Sequence, residues 1–175
     1  MSDPMTLALL GGAAATQGIT FLYAQASELL KAWREKRAAT PPASPALDAP
    51  PTPRPADMAV VEQRQRSLAL LRAALSPYAL GDVEIDLGDE ELAARAGELR
   101  ELLEAVYGQR FTFRGEQREP TGSTVTVRQV LGTVEGNVVG AKADVGGGSL
   151  RVDQEAETVR GSLLGFEGTI GRPPA

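Results

Sequence analysis

The chain has 175 residues, with 18 Lys and Arg against 23 Asp and Glu, no Cys, no His and only 5% aromatic residues. A net charge of -5 speaks against nucleic-acid binding, which needs a basic stripe to neutralise phosphates. The absence of Cys and His removes disulfides, thiol nucleophiles, nearly all structural zinc sites and the commonest general base near neutral pH, so we expect no enzyme, no cofactor and no bound metal.

Residues 1–37 come first. No charge occurs from residue 4 to 27, and the segment then ends in KAWREKR. Ile19, Leu22, Tyr23, Ala26, Leu29, Leu30 and Trp33 recur at helical spacing and predict an amphipathic helix. Gly11, Ala15 and Gly18 are spaced so that another helix can approach closely. Residues 38–56 hold seven of the twelve prolines and predict a disordered, semi-stiff tether. On such a tether the first helix is expected to act as a separate docking element, with Leu22, Leu29, Leu30 and Trp33 as its contact residues. The alternative is a membrane-associated protein in which residues 5–37 lie on an anionic surface, helped by Lys31, Arg34, Lys36 and Arg37. Thr6, Thr16, Gln17, Thr20, Gln25 and Ser27 make this run a poor spanning segment. The start, MSDP, lacks the basic region of a secretory signal. The expected location is the cytoplasm or the periphery of a membrane.

Residues 57–115 predict an antiparallel helical pair followed by a strand. Val61, Leu68, Leu71, Leu75 and Tyr78 mark one helix, stopped near Pro77. Leu92, Ala96, Leu99, Leu103 and Val106 mark the other, with Asp89 placed to cap it and Gly108 to close it. RFTFR then alternates like a strand, with Phe111 and Phe113 on one face.

Residues 121–171 contain eleven of the nineteen glycines and no proline. Val, Leu and Ile alternate with polar residues in short runs cut by glycine, which predicts short strands and tight turns. Residues 124–146 align without a gap on residues 149–171 at an offset of 25. Seven of the 23 positions are identical, those of Val127, Gln129, Thr133, Val134, Gly136, Gly140 and Gly146. Most remaining apolar positions exchange Val for Leu or Ile. We read this as a 25-residue internal repeat. It suits either a two-coil β-solenoid with glycine at the corners or two arches packed as a small sandwich. Stacked coils bring Val134 to Val159, Val138 to Leu163 and Gln129 to Gln154, the last as an amide ladder. Two coils are few, and each end leaves an open strand edge. The helical pair and RFTFR are placed to cap the first coil. The second is followed only by RPPA.

Two pseudo-repeats of this kind at a C-terminus resemble the fungal two-repeat prion-forming domain, whose two-coil solenoid stacks between molecules. GTVEGNVVGAKADVGGG, residues 132–148, resembles the Gly-x-Val-x-Gly-x-Val-Val pattern of bacterial amyloid-signalling motifs. The overall layout is similar to that of small actinobacterial proteins and brings no activity with it. What these resemblances imply is assembly through the β segment.

The remaining clusters have plainer readings. Asp82, Glu84, Asp86, Asp89, Glu90 and Glu91 form a dense acidic group, but a calcium loop counted from Asp82 puts Leu87 and Ala93 where Gly and Glu are required. Gly146, Gly147 and Gly148 lack the following Lys of a phosphate loop and suit a turn between coils. No pair of carboxylates is singled out for hydrolysis, which makes a carboxylate-dependent hydrolase the last of the functional readings. We therefore expect an α+β protein: an N-terminal helix on a Pro-rich tether, a helical pair, and a Gly-rich β module. The expected function is assembly, through a homo-oligomer or a protein partner. The module's contact residues are expected to be Val134, Gly136, Val138, Gly140, Val159, Gly161, Leu163 and Gly165.

Overall fold

The computed structural model describes residues 5–122, 124–142 and 149–167. The described chain is α+β, with four helices followed by two small parallel sheets.

The N-terminal run forms a short turn of helix, α1 (Leu7–Leu10), and a long helix, α2 (Gly12–Arg34). Gly11 separates them at φ 75° and ψ 162°, a backbone region essentially confined to glycine. Helices α3 (Met58–Ala79) and α4 (Glu90–Tyr107) follow. Both begin on an aspartate cap. Asp57 accepts from the Ala59 and Val60 N–H groups, and Asp89 from Leu92 N–H at 2.9 Å. Gly108 ends α4 in the left-handed region at φ 61°, as its place in the sequence leads one to expect.

Helix α2 is not a separate docking element. Its apolar stripe of Ile19, Leu22, Ala26 and Leu29 is fully buried, together with Val61, Leu68 and Leu75 of α3 and Ala96, Leu99 and Leu103 of α4. One core thus holds three helices where the sequence suggested a pair. Burying a Leu or Ile stabilises by about 1.5–3 kcal/mol, so an apolar face of this size stays on the chain's own core once two complementary stripes are within reach. Gly18 does allow a close approach, but to other partners than a helix. A Cβ there would sit 2.9 Å from Met5 Cε and 3.5 Å from the Phe113 ring.

Residues 38–56 are likewise not a free tether. They form a strap across the core. Ala39, Ala46 and Leu47 are buried, and Leu47 bridges Phe113 in antiparallel fashion. Asp48 N–H donates to Thr112 O at 3.0 Å, and Arg114 N–H to Ala46 O at 3.0 Å. Gln109 clamps the strap from both sides: its Oε1 accepts from Thr52 N–H and its Nε2 donates to Thr52 O, each at 2.8 Å. Prolines suit such a strap because they bring no N–H that would need a partner. RFTFR also departs from expectation. Phe111 and Phe113 face the same way, but into the helical core, where both meet Phe21 edge to face at 5.6 and 6.0 Å between ring centres. Apart from single bridges at Arg110 and Phe113, the segment pairs with no strand among the described residues.

Among the described residues the β module has four strands: β1 (Thr124–Val134), β2 (Asn137–Lys142), β3 (Ser149–Val159) and β4 (Ser162–Glu167). Strand β1 pairs in parallel with β3, from Thr124 on Ser149 to Val134 on Val159. Strand β2 pairs in parallel with β4, from Asn137 on Ser162 to Lys142 on Glu167. Every partner in both ladders is 25 residues away. The chain therefore makes two layers, β1 with β2 and β3 with β4. Among the described residues the sheets remain two-stranded, and neither a closed coil nor a sandwich is formed. The turn expected at residues 146–148 and the stretch 168–175, with Gly171 and the RPPA end, lie outside the described residues.

Candidate assembly surface

Side chains of β1 and β3 alternate as the pleat requires over residues 127–131 and 152–156. Val127, Gln129 and Leu131 of β1 are half-buried, as are Val152, Gln154 and Ala156 of β3, while Arg128, Val130, Asp153 and Glu155 between them are exposed. Two layers bury these residues only in part. Val130 remains 69% exposed, and Val159 and Leu164 are also exposed.

Polar contacts follow the same register. Gln154 Nε2 donates to Gln129 Oε1 at 2.9 Å, so the amide ladder is formed. At the corner between strands, Ser162 N–H donates to Gly136 O at 2.9 Å and carries the ladder from one sheet to the next. Arg160 Nη1 lies 3.9 Å from Glu135 Oε1. Both side chains are exposed, so this pair adds little stability, but it records the 25-residue offset in charge. The corner also explains one glycine outright. A Cβ on Gly161 would overlap the carbonyl oxygen of Gly136 and sit 2.7 Å from its carbonyl carbon and nitrogen. No side chain fits on Gly161 where it stacks on the first corner.

The expected contact residues fall into two groups. Leu22 and Leu29 are core residues, and Leu30 and Trp33 are half-buried against that core; α2 offers none of them as a free apolar stripe. The eight residues of the β module do come together. Val134 is in register with Val159 and Val138 with Leu163. Gly136 and Gly161 occupy the two stacked corners. Gly140 and Gly165 lie in β2 and β4, between partners already paired. Gly165 lies beside the amide ladder, where a Cβ would reach ordinary contact, 3.8 Å, with Gln154 Oε1.

Sequence reasoning missed the charges at equivalent positions. Arg128 is in register with Asp153, Glu135 is offset from Arg160 by the same 25 residues, and Lys142 is in register with Glu167. All three positions that are charged in both layers carry opposite signs. The aligned copies contain this signal, and it was visible without a structure.

Elsewhere, the acids of the helical domain have structural work. Glu116 pairs with Arg100 at 2.6 Å with both side chains almost fully buried, and its second oxygen accepts from Phe113 N–H at 2.9 Å. Glu104 accepts from Phe111 N–H at 2.9 Å. Tyr107 donates to Gln25 at 3.3 Å, and burial pushes its phenol up to about 12. Among the described residues, no group of three acids is placed to hold a metal ion, and no helix is long and apolar enough to cross a membrane. No family model matches the chain, and neither a curated protein nor a solved structure matches it.

Proposed function

We propose that the chain is a non-enzymatic assembly protein in which a strapped three-helix domain carries a two-layer, solenoid-like β module that associates with further copies of itself. The observation that carries this reading is the pair of parallel ladders at a constant 25-residue offset, in which each described strand has a neighbour on one edge only. Each layer holds one of the two aligned segments. Alternate residues of β1 and β3 are half-buried, as they would be in the interior of a longer stack. Among the described residues no further strand covers the layers' outer edges, and an open strand edge favours pairing with another chain. The amide ladder supports the same view, because stacked Gln side chains gain partners with every added layer. The membrane reading loses its main support, since the apolar face it needs lies in the helical core.

The test is the mass of the full chain in solution across a wide concentration range, by light scattering. The expected result is a mass that rises with concentration above the 18.4 kDa of a single chain. A constant single-chain mass at every concentration overturns the proposal.

A further inference from the structure

The two stacked corners carry the same residue for different reasons. Gly161 must be glycine because a Cβ would run into the backbone of Gly136 in the layer beside it. Gly136 has no such reason within one chain. Among the described residues nothing lies within 4 Å of the Cβ it lacks, and its φ is one that any residue adopts. Parallel, in-register layers are related by translation. A Cβ on Gly136 would therefore point the same way as one on Gly161, out of the first layer and away from the second. It would occupy the space that a further layer fills.

We infer that the free edge of the first layer receives the second layer of another copy of this chain, head to tail and in the same 25-residue register. This rests on the self-association proposed above and specifies its edge and polarity. Charge fixes the choice. In a head-to-tail stack, Asp153 and Arg160 of one copy come against Arg128 and Glu135 of the next, repeating the opposite-sign partners found within the chain. A parallel stack of two first layers instead sets Arg128 on Arg128 and Glu135 on Glu135. A parallel stack of two second layers sets Asp153 and Glu155 on themselves. Like charges directly opposed across strands are destabilising. An interface that joins two different edges by translation does not close into a ring, so copies add without a fixed number.

The experiment uses the full chain and sedimentation velocity, with amide hydrogen exchange as a check on folding. Gly136→Ala is expected to leave the Ser162 amide as protected as in the unaltered monomer and to weaken association at least tenfold. A second variant reverses the charges of both layers together: Arg128→Asp, Glu135→Arg, Asp153→Arg and Arg160→Glu. It keeps every pair within the chain opposite in sign, so it is expected to assemble with itself. It sets like charges against the unaltered chain and is expected not to co-assemble with it. If the unaltered chain assembles and Gly136→Ala assembles equally well, or if the charge-swapped chain mixes freely into unaltered assemblies, the head-to-tail edge is wrong while self-association stands. If the unaltered chain stays single at all concentrations, both fall.

Discussion

Replacing Glu116 with alanine is expected to lower the unfolding free energy of the helical domain by about 3–5 kcal/mol, because the change removes the carboxylate that pairs with a buried guanidinium. Arg100 is 1% exposed and Glu116 5%, so water cannot take over the lost partner. The substitution also removes the acceptor of Phe113 N–H, in a segment whose two Phe side chains fill the space between α2 and α4. Pairing Glu116→Leu with Arg100→Met should recover most of the loss, since a buried ion pair exchanged for apolar groups of similar size is often neutral. Urea unfolding followed by helical circular dichroism measures both. A loss below about 1 kcal/mol in the single variant would show that the pair is not buried as described.

Replacing Gly161 with alanine is expected to act on the β module alone. The added methyl meets the backbone of Gly136, which cannot rotate away as a side chain would. Overpacking of this kind costs about 1–3 kcal/mol and more when backbone is involved. The two layers are held by partly buried residues and by ladders, so they have little stability in reserve. The expected result is loss of amide protection at Ser162 and along both ladders, with the unfolding midpoint of the helical domain unchanged. Retained protection at Ser162 would contradict the stacked corners.

The caps on α3 and α4 fall where Asp57 and Asp89 stand, and Gly108 closes α4, because these are local contacts within a few residues of sequence. The 25-residue offset was equally readable from the aligned copies, and it is the offset of both ladders. What the sequence concealed depends on distant partners. Residues 38–56 look like a tether because their prolines outnumber their apolar anchors, yet Ala46 and Leu47 and a clamp from Gln109, 57 residues from Thr52, are enough to fasten them. Once the strap returns to the core, α2 comes with it, and Leu22 and Leu29 become interior residues. Arg100 would ordinarily be placed at the surface. Its position four residues after Ala96 and three before Leu103 put it on the apolar stripe of α4, a sign that its charge needed a buried partner. Glu116, sixteen residues away and beyond the helix, could not be chosen from spacing.

The design that emerges is asymmetric. The helical domain closes its own apolar surface, including the apolar stripe of α2. Among the described residues the β module leaves its strand edges open and buries its side chains only in part. Glycine at a corner where the described residues of one chain do not require it, and opposite charges in a register that can continue, are the grounds on which we propose the module as the contact surface.

The absence of cysteine in the chain permits the most direct test. Val130→Cys places a single thiol on an exposed position of the first layer, and a nitroxide attached there reports its neighbours by electron paramagnetic resonance in assembled full-length protein. Head-to-tail stacking spaces equivalent labels by two strand separations, about 10 Å, so the spectrum should be broadened by dipolar coupling without exchange narrowing. A spectrum indistinguishable from the dilute single chain, or one collapsed by exchange between labels about 5 Å apart, would contradict the stack.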